Sequence, residues 1–357
     1  MLAVGPELKN TFCLTKGRYA VMSQHIGDME NLETLKFFEE TLRNLESVYQ
    51  IKPRVIAHDL HPNYMTTRWA LGRPEPKIAV QHHHAHIASC MAENGVNDPV
   101  IGVAFDGTGF GTDGQIWGGE FLLYDYRGFE RCAHLRYASL PGGDRAARQG
   151  WRMAASHLRD ALGPDYRQLD LPCWNAAASS TSAATWSVID KLIARPQILT
   201  SSCGRLFDAV SAICGISFES NYEGESAMLL EAAAAEPGDG IYEFDVNPET
   251  TPWTIDTRPL LKELAHEVSS GCPPNTVARK FHNSVARMIS AVCHKLRERN
   301  GVNRVCLSGG TFQNHTLLKS SSSLLRADGF EVFLHAQVPP NDGGISLGQA
   351  VIAAAQS

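Results

Sequence analysis

The sequence lacks the cysteine spacing of a disulfide framework or of a zinc knuckle. Its nine cysteines are scattered over 357 residues, and no two of them form a CxxC pair. Secreted disulfide-rich domains and zinc knuckles need cysteines at short, regular spacing, so both classes are disfavoured. The first residues show no basic segment followed by an apolar core, so no signal peptide is visible. We therefore expect a reduced protein of the cytoplasm.

Positive charge is also scarce. The chain has 32 Lys and Arg against 38 Asp and Glu, which gives a formal net charge of −6. Duplex-binding proteins usually present a basic stripe, so nucleic acid is disfavoured as a main partner. No uncharged stretch is apolar enough to suggest a membrane span, so we expect no membrane partner. The 43% hydrophobic content supports a sizeable core and excludes global disorder.

What the chain does have is an alternation of short apolar strands with amphipathic helices. A hairpin is predicted over residues 11–25 and a helix over 31–50, and strands at 54–57, 77–80 and 100–105 have helical segments between them. The last hundred residues return to the same alternation. This pattern predicts an α/β protein, and the length suggests two domains or one bilobed body with a cleft.

The most distinctive segment is the histidine run Gln81-His82-His83-His84-Ala85-His86, placed between an apolar strand and a helix. His82 and His86 are one turn apart on one helix face, a spacing that lets both imidazoles reach one metal ion. His83 and His84 point roughly 100° and 200° away around the helix and are poorer ligands. We expect metal binding here, against the alternative of a solvated histidine cluster.

A two-histidine metal site needs a further ligand, which is commonly a carboxylate. Asp342, in the string PPNDGG, is the best candidate because the flanking prolines and glycines place it on a tight turn. The same residue could simply cap the following helix, so the sequence leaves both roles open. His58 and His61 form a competing pair with a less specific spacing. A His₂Asp set with open positions suits either iron or zinc.

Three glycine-containing loops are predicted to follow strands: residues 105–114 (FDGTGFGTDG), 307–314 (LSGGTFQN) and 5–10 (GPELKN). Glycines free backbone N–H groups to hold phosphate oxygens, while an acid such as Asp106 can hold a metal or water. Lys9 could supply a cation for a phosphate. Together the loops suggest a nucleotide held between two lobes, although each alone would fit an ordinary turn.

A further candidate is Asp208 together with the turn at residues 221–225 (NYEGE). In the simpler interpretation Phe207 and Val210 pack in the core and Asp208 is exposed. In the functional interpretation Asp208 and the acids of the turn, Glu223 among them, accept hydrogen bonds from ribose hydroxyls. The sequence alone leaves both interpretations open.

Four strings, VQHHHAHIASCM, FDGTGFGTDG, LSGGTFQN and PPNDGGISLGQA, together resemble the carbamoyltransferase domain of hydrogenase-maturation factors of the HypF type. They occur in that family's order, and the resemblance covers nearly the whole chain. The family is similar to the tRNA threonylcarbamoyltransferases and the antibiotic O-carbamoyltransferases, all within the actin, sugar-kinase and heat-shock-ATPase superfamily. The resemblance implies an α/β fold of two lobes, each with a mixed sheet flanked by helices, that close on an adenine nucleotide beside a metal.

The resemblance also implies a division of the chain and roles for its residues. We expect an N-terminal lobe over residues 1–135 and a C-terminal lobe over 136–357, with the last helix near their interface. The implied metal ligands are His82, His86 and Asp342. The implied phosphate contacts are Asp106, Gly107, Thr108, Gly109, Gly309 and Gly310. The nucleoside is assigned to Asp208, Gly224 and Asn314, to which the turn adds Glu223.

The implied reaction moves a carbamoyl group from a carbamoyl-adenylate to the C-terminal cysteine of a HypE-type maturation protein, for the cyanide ligands of NiFe hydrogenase. Lys9 and Asp106 are the catalytic candidates, with a divalent metal (iron or zinc) and Mg²⁺ as an additional candidate ion. Full-length members of the family carry upstream acylphosphatase-like, zinc-finger and adenylate-forming domains that this sequence lacks. We therefore expect the adenylate-forming step to be absent.

Three alternatives stay open. One is a tRNA threonylcarbamoyltransferase-like enzyme, which the acidic balance and the HHHAH and FDGTGFG variants disfavour. Another is a non-catalytic actin-like nucleotide switch, a class that does not use a two-histidine helix to bind metal. The third is a metal-bearing scaffold that only docks a partner, which turnover of an adenylate would distinguish.

Overall fold

The computed structural model describes residues 1–180 and 182–357 and places their strands in two mixed sheets. The first sheet has the strand order β3-β2-β1-β4-β5, and the predicted hairpin forms its antiparallel edge. Its strands are β1 (Leu2–Ala3), β2 (Cys13–Lys16), β3 (Tyr19–Met22), β4 (Ile56–Asp59) and β5 (Lys77–Val80). β1, β4 and β5 run parallel, so the chain after each of β4 and β5 leaves from the same edge of the sheet.

The second sheet has the main order β11-β12-β8-β7-β6-β13-β14, and β10 joins β7 to β9 beside it. Its strands are β6 (Val100–Phe110), β7 (Ile116–Asp125), β8 (Gly128–Leu135), β9 (Ala138–Ser139), β10 (Leu199–Thr200), β11 (Asp245–Asn247), β12 (Trp253–Asp256), β13 (Arg304–Ser308) and β14 (Glu331–Phe333). β6 and β13 are parallel neighbours, with Ala104 paired to Ser308. Residues just beyond that pair on both strands therefore meet at one edge of the sheet.

Thirteen α-helices connect or cover these strands in the described part of the chain. They are α1 (Leu32–Tyr49), α2 (Met65–Leu71), α3 (His82–Glu93), α4 (Asp144–Arg148), α5 (Gly150–Leu162), α6 (Pro172–Ser180), α7 (Ala183–Ala194), α8 (Cys203–Ile213), α9 (Glu225–Ala233), α10 (Arg258–Ser269), α11 (Pro274–Asn300), α12 (His315–Ala327) and α13 (Ile345–Gln356). The two mixed sheets with flanking helices confirm the predicted α/β class. No described helix is long and apolar enough to cross a membrane.

The apolar residues form three cores that separate the layers. One core joins α1 and α2 to the outer face of the first sheet. A second lies between the two sheets and is filled by α3 and α13. The third and largest joins the other face of the second sheet to helices that include α5, α8, α10 and α11. The histidine helix α3 is therefore buried between the two sheets.

The contact between α3 and α13 requires a glycine. A Cβ atom on Gly348 would lie 1.9 Å from the carbonyl oxygen of Ala85, so no larger residue fits without moving one helix. The loop that follows β1 is held to α13 by a hydrogen bond, in which Gly5 N donates to Gln349 Oε1 at 2.9 Å. These contacts hold the start of α13 close to the histidines of α3.

The predicted boundary at residue 135 stays a prediction. The last strand of the first sheet ends at Val80, and the first strand of the second sheet begins at Val100. β6, β7 and β8, which precede residue 135, pair in one sheet with strands that follow it. The last helix, α13, lies between the two sheets.

Candidate active site

Four titratable side chains from three separate elements converge beside the first turns of α3. His82 and His86 come from α3, Asp106 from β6, and Asp342 from a short 3₁₀ turn before α13. His82 Nε2 lies 3.4 Å from Asp106 Oδ2 and 3.5 Å from Asp342 Oδ1. His86 Nε2 lies 3.5 Å and 3.7 Å from the same two atoms. The fold thus brings together the three predicted metal ligands and adds Asp106 to them.

The chemistry of this cluster fits a divalent transition metal. Both Nε2 atoms are buried, and neither has a hydrogen-bond partner among the described residues. One donor atom from each of the four residues falls within 4.8 Å of the others. Two imidazole nitrogens with two carboxylate oxygens form a donor set suited to iron or zinc. Buried nitrogens without partners are unfavourable unless something binds them, so the arrangement is consistent with a metal site.

The charges of the cluster shift its pKa values in opposite directions. Burial disfavours the charged form of His82, but the nearby carboxylates, Asp342 and Asp106 among them, outweigh it and raise the pKa of His82 well above its ordinary value. Burial would raise the pKa of Asp106, yet His82 and His86 hold that pKa well below its usual range. His83 is fully buried, and burial, followed by the neighbouring charge of His82, lowers its pKa well below the ordinary value. Asp106 is therefore an anion in the site.

Asp59, at the end of β4, contacts the side of the His82 ring that faces away from the other three residues of the cluster. Its Oδ2 accepts a hydrogen bond from His82 Nδ1 at 2.8 Å. The competing ligands proposed from the same stretch point elsewhere: His58 Nδ1 bonds the carbonyl of Asp59, and His61 stacks on Tyr64 at 4.1 Å. The string HDLH did carry a signal, but the residue that contacts the cluster is the acid between the two histidines.

The predicted glycine loop at 105–114 consists of a bulged end of strand β6 and the hairpin turn that follows it. β6 continues to Phe110, and its pairing with β7 shifts between Phe105 and Gly109, so residues 106–108 face Gly118 alone. Such a bulge turns side chains away from the regular alternation, and here it leaves Asp106 beside the histidines. Ser202 fixes the bulge, because its Oγ donates to the carbonyls of residues 106 and 107 at 2.8 Å and 2.6 Å. The first half of the predicted loop is therefore strand, because it pairs with β7, and the turn begins only after Phe110.

The Ser-Gly-Gly string after β13 packs directly on this bulge. Gly309 has a φ of +105°, and a Cβ there would lie 2.2 Å from the carbonyl oxygen of Phe105. Gly310 N donates to Asp106 Oδ1 at 2.9 Å, which leaves Oδ2 for the histidines. Gly309 therefore allows a close backbone approach, and Gly310 orients the carboxylate.

Asp342 is not the residue that caps the turn before α13. That role belongs to Asn341, whose Oδ1 accepts from Gly343 N at 3.0 Å. The Asp342 side chain is consequently free to face the histidines, which resolves the ambiguity that the sequence left. The preceding residues are held by Glu93, at the end of α3, whose Oε1 accepts from Ala336 N at 2.7 Å.

A cavity of about 300 Å³ opens directly beside the cluster. A cavity of this size is at the lower end of the usual range for small-molecule sites. Most of the predicted site residues line it: Lys9, Asp106, Gly107, Asp208, Glu223, Gly224, Gly310, Asn314 and Asp342. Five predicted residues do not: His82 and His86, which reach the metal cluster from α3, and three residues of the glycine loops. Thr108 is exposed, Gly109 is pressed against the rings of His82 and His83, and Gly309 faces the backbone of Phe105.

Several polar groups of the cavity are already paired. Lys9 Nζ contacts Glu223 Oε2 across the cavity, so the predicted phosphate cation and the predicted ribose acceptor neutralise each other. Asp208 is buried, contrary to the interpretation that exposed it, and Arg205 Nη1 lies 3.0 Å from its Oδ2. Asn314 Nδ2 donates to His282 Nε2 at 2.9 Å while its Oδ1 caps α12.

Residues missed at the sequence level complete the lining. Phe207, Ala227 and Met228 add an apolar side, and Arg205 and Glu231 add charge. Arg205 is 7% exposed, and its Nε has no hydrogen-bond partner among the described residues. These residues belong to no motif and reach the cavity only through the packing of α8 and α9, so no local pattern pointed to them.

Two short glycine patterns that are typical of other enzyme classes also occur in this sequence, but only the spacing of their residues matches. Gly109–Gly114 has the G-x-G-x-x-G spacing, but it lies at the β6–β7 hairpin and not between a strand and a helix. Residues 344–348 read G-x-S-x-G, but Ser346 is fully buried in α13 and lies 2.7 Å from Thr11 Oγ1. Neither pattern has the structural context that its enzyme class requires.

Comparison with known proteins identifies a family. A profile described as "HypF Kae1-like domain" matches residues 1–93, and one described as "Carbamoyltransferase, Kae1-like Domain, second subdomain" matches residues 102–349. Carbamoyltransferase HypF2 of Cupriavidus necator is 38% identical over 391 residues, which cover 99% of this chain and 46% of that protein. The Carbamoyltransferase HypF homolog of the same organism is 35% identical over 371 residues, covering 100% of this chain and 92% of that protein.

The fold agrees with this assignment. A crystal structure of full-length HypF in the phosphate- and nucleotide-bound form superposes with a TM-score of 0.92 at 41% identity, covering 99% of this chain and 46% of that one. HypF of T. kodakarensis gives a TM-score of 0.89 at 32% identity, covering 98% of this chain and 46% of that one. The chain spans about half the length of the first curated relatives it matches. It belongs to the HypF carbamoyltransferase family and corresponds to that family's Kae1-like domain.

Proposed function

We propose that this chain transfers a carbamoyl group from a carbamoyl-adenylate to the C-terminal cysteine of a HypE-type maturation protein, in the biosynthesis of the cyanide ligands of NiFe hydrogenase. The observation that carries the proposal is the convergence of His82, His86, Asp106 and Asp342 at one side of the cavity. Membership of the carbamoyltransferase family supports the carbamoyl chemistry. The phosphate and nucleotide reported for full-length HypF support an adenylate as the donor.

The four converging residues are proposed to hold one divalent ion, iron or zinc. Lewis-acid polarisation of the carbamoyl carbonyl is the chemistry that such an ion supplies when bound. Asp59 holds a proton of His82 on Nδ1, so Nε2 would present its lone pair to an ion that displaced the second proton. Gly310 N in turn holds Oδ1 of Asp106. The protein thus orients two of the four donor atoms by hydrogen bonds from outside the cluster.

The cavity next to the cluster is proposed to bind the adenylate. The apolar side formed by Phe207, Ala227 and Met228 suits the base, and the predicted nucleoside residues Gly224 and Asn314 lie in the same lining. Lys9 and Arg205 are the cations of the lining, and Glu223, the partner of Lys9, would be released when a phosphate takes its place. Glu223 would then be free to accept hydrogen bonds from the ribose.

The transfer itself needs no nucleophile from this chain. The acceptor thiolate attacks the carbamoyl carbon, the bond from that carbon to the phosphate oxygen breaks, and AMP leaves with the electron pair. A thiolate is already deprotonated, so no general base is needed for its attack. Cys203, which lies near Asp106, is unsuited to act in its place because burial raises the pKa of its thiol. Lys9 would stabilise the charge on the leaving phosphate.

The proposal is tested by transfer to a partner protein. The chain would be mixed with a HypE-type protein and with carbamoyl-adenylate supplied by a separate adenylate-forming domain. Intact-mass spectrometry should show one carbamoyl group on the C-terminal cysteine of the partner. A partner that lacks this cysteine should stay unmodified, and so should the wild-type partner incubated with the Asp106→Asn variant. No transfer to the protein, together with transfer of a threonylcarbamoyl group from threonylcarbamoyl-adenylate to tRNA, would contradict the proposal and favour the tRNA-modifying alternative.

A further inference from the structure

A small pocket outside the nucleotide cavity contains three arginines without carboxylate partners. Arg145, Arg148 and Arg152 line a pocket of about 280 Å³ together with Gln149, Glu219 and Ser220. No described residue forms an ion pair with any of the three arginines. Other arginines of the same region are paired, for example Arg136 with Asp160 at 2.6 Å. The pocket therefore concentrates positive charge on a chain whose net charge is −6.

Of the three arginines, Arg152 gives the strongest indication of an anion site because it is buried. Only 8% of its surface is exposed. Its Nε donates to Gln149 Oε1 at 2.5 Å and its Nη1 to the carbonyl of Pro141 at 3.4 Å, while Nη2 donates to no described residue. Burial and then the charge of Arg145 lower the pKa of Arg152. Burying one arginine next to another is costly, the charge of Glu219 offsets that cost only in part, and a bound anion would offset more of it.

The one acid of the pocket does not fill this role. Glu219 Oε1 accepts a hydrogen bond from Gln149 Nε2 at 3.0 Å, and no arginine lies within ion-pair distance of it. Three guanidinium groups against one carboxylate leave a formal charge of +2 in the pocket. Guanidinium groups present forked N–H donors that match the two oxygens of a carboxylate or a phosphate.

The pocket adjoins the wall of the nucleotide cavity. Arg205, which lines the cavity, donates from Nη1 to the carbonyl of Ala147 at 2.6 Å. On the other side Ser220 N donates to the carbonyl of Arg148 at 2.7 Å, and the chain runs from there to Glu223 in the cavity lining. A ligand could therefore hold an anionic group in the pocket while another part of the same complex reacts in the cavity.

We propose that Arg145, Arg148 and Arg152 form an oxyanion-binding pocket for a carboxylate or phosphate group of a reactant. One source of that oxyanion is the α-carboxylate of the acceptor's C-terminal cysteine, an assignment that rests on the proposed function. Holding that carboxylate would restrict the position of the neighbouring thiolate. The other source of the same chemistry is a phosphate of the nucleotide.

Residue-specific arginine modification tests the pocket directly. Phenylglyoxal labelling would be followed by peptide mass spectrometry at Arg145 and Arg148, with Arg18 as an exposed arginine that has no ion pair. The probes are inorganic phosphate, AMP, and a peptide ending in cysteine with a free or an amidated C-terminus. At about ten times its Kd, the matching probe should slow labelling of Arg145 and Arg148 about tenfold and leave Arg18 unaffected.

The pattern of protection identifies the source of the oxyanion. Protection by the free but not the amidated peptide assigns the pocket to the acceptor carboxylate. Protection by phosphate or AMP but by neither peptide assigns it to a phosphate, and this result would stand even if no carbamoyl transfer were found. If none of the four probes protects Arg145 or Arg148 relative to Arg18, the proposal is overturned.

Substitution provides an independent test. Arg145 and Arg148 are exposed, so Arg145→Gln and Arg148→Gln should fold, and Arg18→Gln is the matched control. For an acceptor carboxylate, either variant should raise the KM for the acceptor about tenfold, equivalent to about 1.4 kcal/mol of binding, with nucleotide affinity unchanged. For a nucleotide phosphate, the affinity for AMP should fall instead. An Arg148→Gln variant with the same acceptor KM and the same AMP affinity as Arg18→Gln contradicts the proposal.

Discussion

Asp59 and His82 form a fully buried pair in which Oδ2 of the acid accepts the Nδ1 proton of the imidazole at 2.8 Å. Because a carboxylate accepts and does not donate, this bond fixes the ring tautomer and leaves Nε2 facing Asp106 and Asp342. Histidines that ligate metals are commonly oriented in this way by a carboxylate behind them. The pair links the first sheet to the proposed metal site.

We expect Asp59→Asn to weaken metal binding while the four proposed ligands stay in place. The amide is neutral and can donate as well as accept, so it favours the metal-binding tautomer of His82 less than the carboxylate does, and the Kd for the metal should rise about 10- to 100-fold. Chelator competition measures this affinity without relying on activity. Asp98→Asn is the control, since Asp98 is exposed and pairs with Arg304 at 3.1 Å. Equal metal affinities for the two variants would show that Asp59 does not orient the ligand.

Glu93 is expected to position Asp342 from the far end of α3. Its carboxylate accepts backbone N–H groups of residues 336–338 and bonds His335 Nδ1 at 3.1 Å. Burial would raise the pKa of Glu93, but these N–H groups and His335 lower it, so the group is an anion that holds the loop. Glu93→Gln should reduce metal affinity about tenfold and unfolding free energy by about 1–3 kcal/mol. The exposed Glu298→Gln serves as the control, and a Glu93→Gln protein with unchanged metal affinity would argue against positioning.

Stability should fall in mild acid because buried histidines stay neutral in the folded protein. Burial lowers the pKa of His157 and of His282 to about 4. The unfolded chain takes up these protons near pH 6.5 and the folded chain only near pH 4, so unfolding becomes easier as the pH falls through that window.

The contribution of one such histidine can be measured by substitution. Between about pH 7.5 and about pH 5 the free energy of unfolding falls in both proteins, and it should fall by about 2 kcal/mol less in His157→Leu than in the wild type. Urea unfolding at both pH values gives the comparison, with the exposed His294→Leu as the control. A variant whose stability falls as steeply as that of the wild type would show that His157 already titrates normally.

The crossing of α13 on α3 should tolerate no side chain at residue 348. A Cβ there would meet the carbonyl oxygen of Ala85, so Gly348→Ala should cost about 1–3 kcal/mol of unfolding free energy. Gly128→Ala is the matched control because no atom lies within 4 Å of a Cβ built at that residue. Thermal and urea unfolding measure both variants. Equal stability would mean that the two helices separate at little cost.

Local sequence patterns predicted the part of the site that depends on local structure. The i, i+4 spacing of His82 and His86 needs only a helix, and α3 supplies it. Asp59 was missed because its contact with His82 depends on β4 lying next to β5 in the sheet, which spacing along the chain does not reveal. The string after Phe105 was predicted to be a loop because its glycines suggest turns, whereas pairing with β7 extends the strand to Phe110 before the turn begins.

The role of Asp342 shows the same limit at a single residue. Both Asn341 and Asp342 can cap a turn, and only the backbone geometry decides that Asn341 does so. Likewise Arg205 and Arg152 have no distinctive neighbours in the sequence. They attract attention only in the fold, where their buried guanidinium groups have fewer hydrogen-bond partners than donors. Such residues become visible only when hydrogen bonds are traced atom by atom.

Metal content and nucleotide affinity, measured together on the wild type and on His86→Ala, test the proposed site most directly. Elemental analysis of the metal-reconstituted wild type should give about one iron or zinc per chain, and calorimetry should show binding of an adenine nucleotide. His86→Ala should lose the metal and bind the nucleotide more weakly, because the cluster and the cavity share Asp106 and Asp342. A wild type that takes up no metal yet binds the nucleotide, or a variant that retains both, would contradict a metal centre at these four residues.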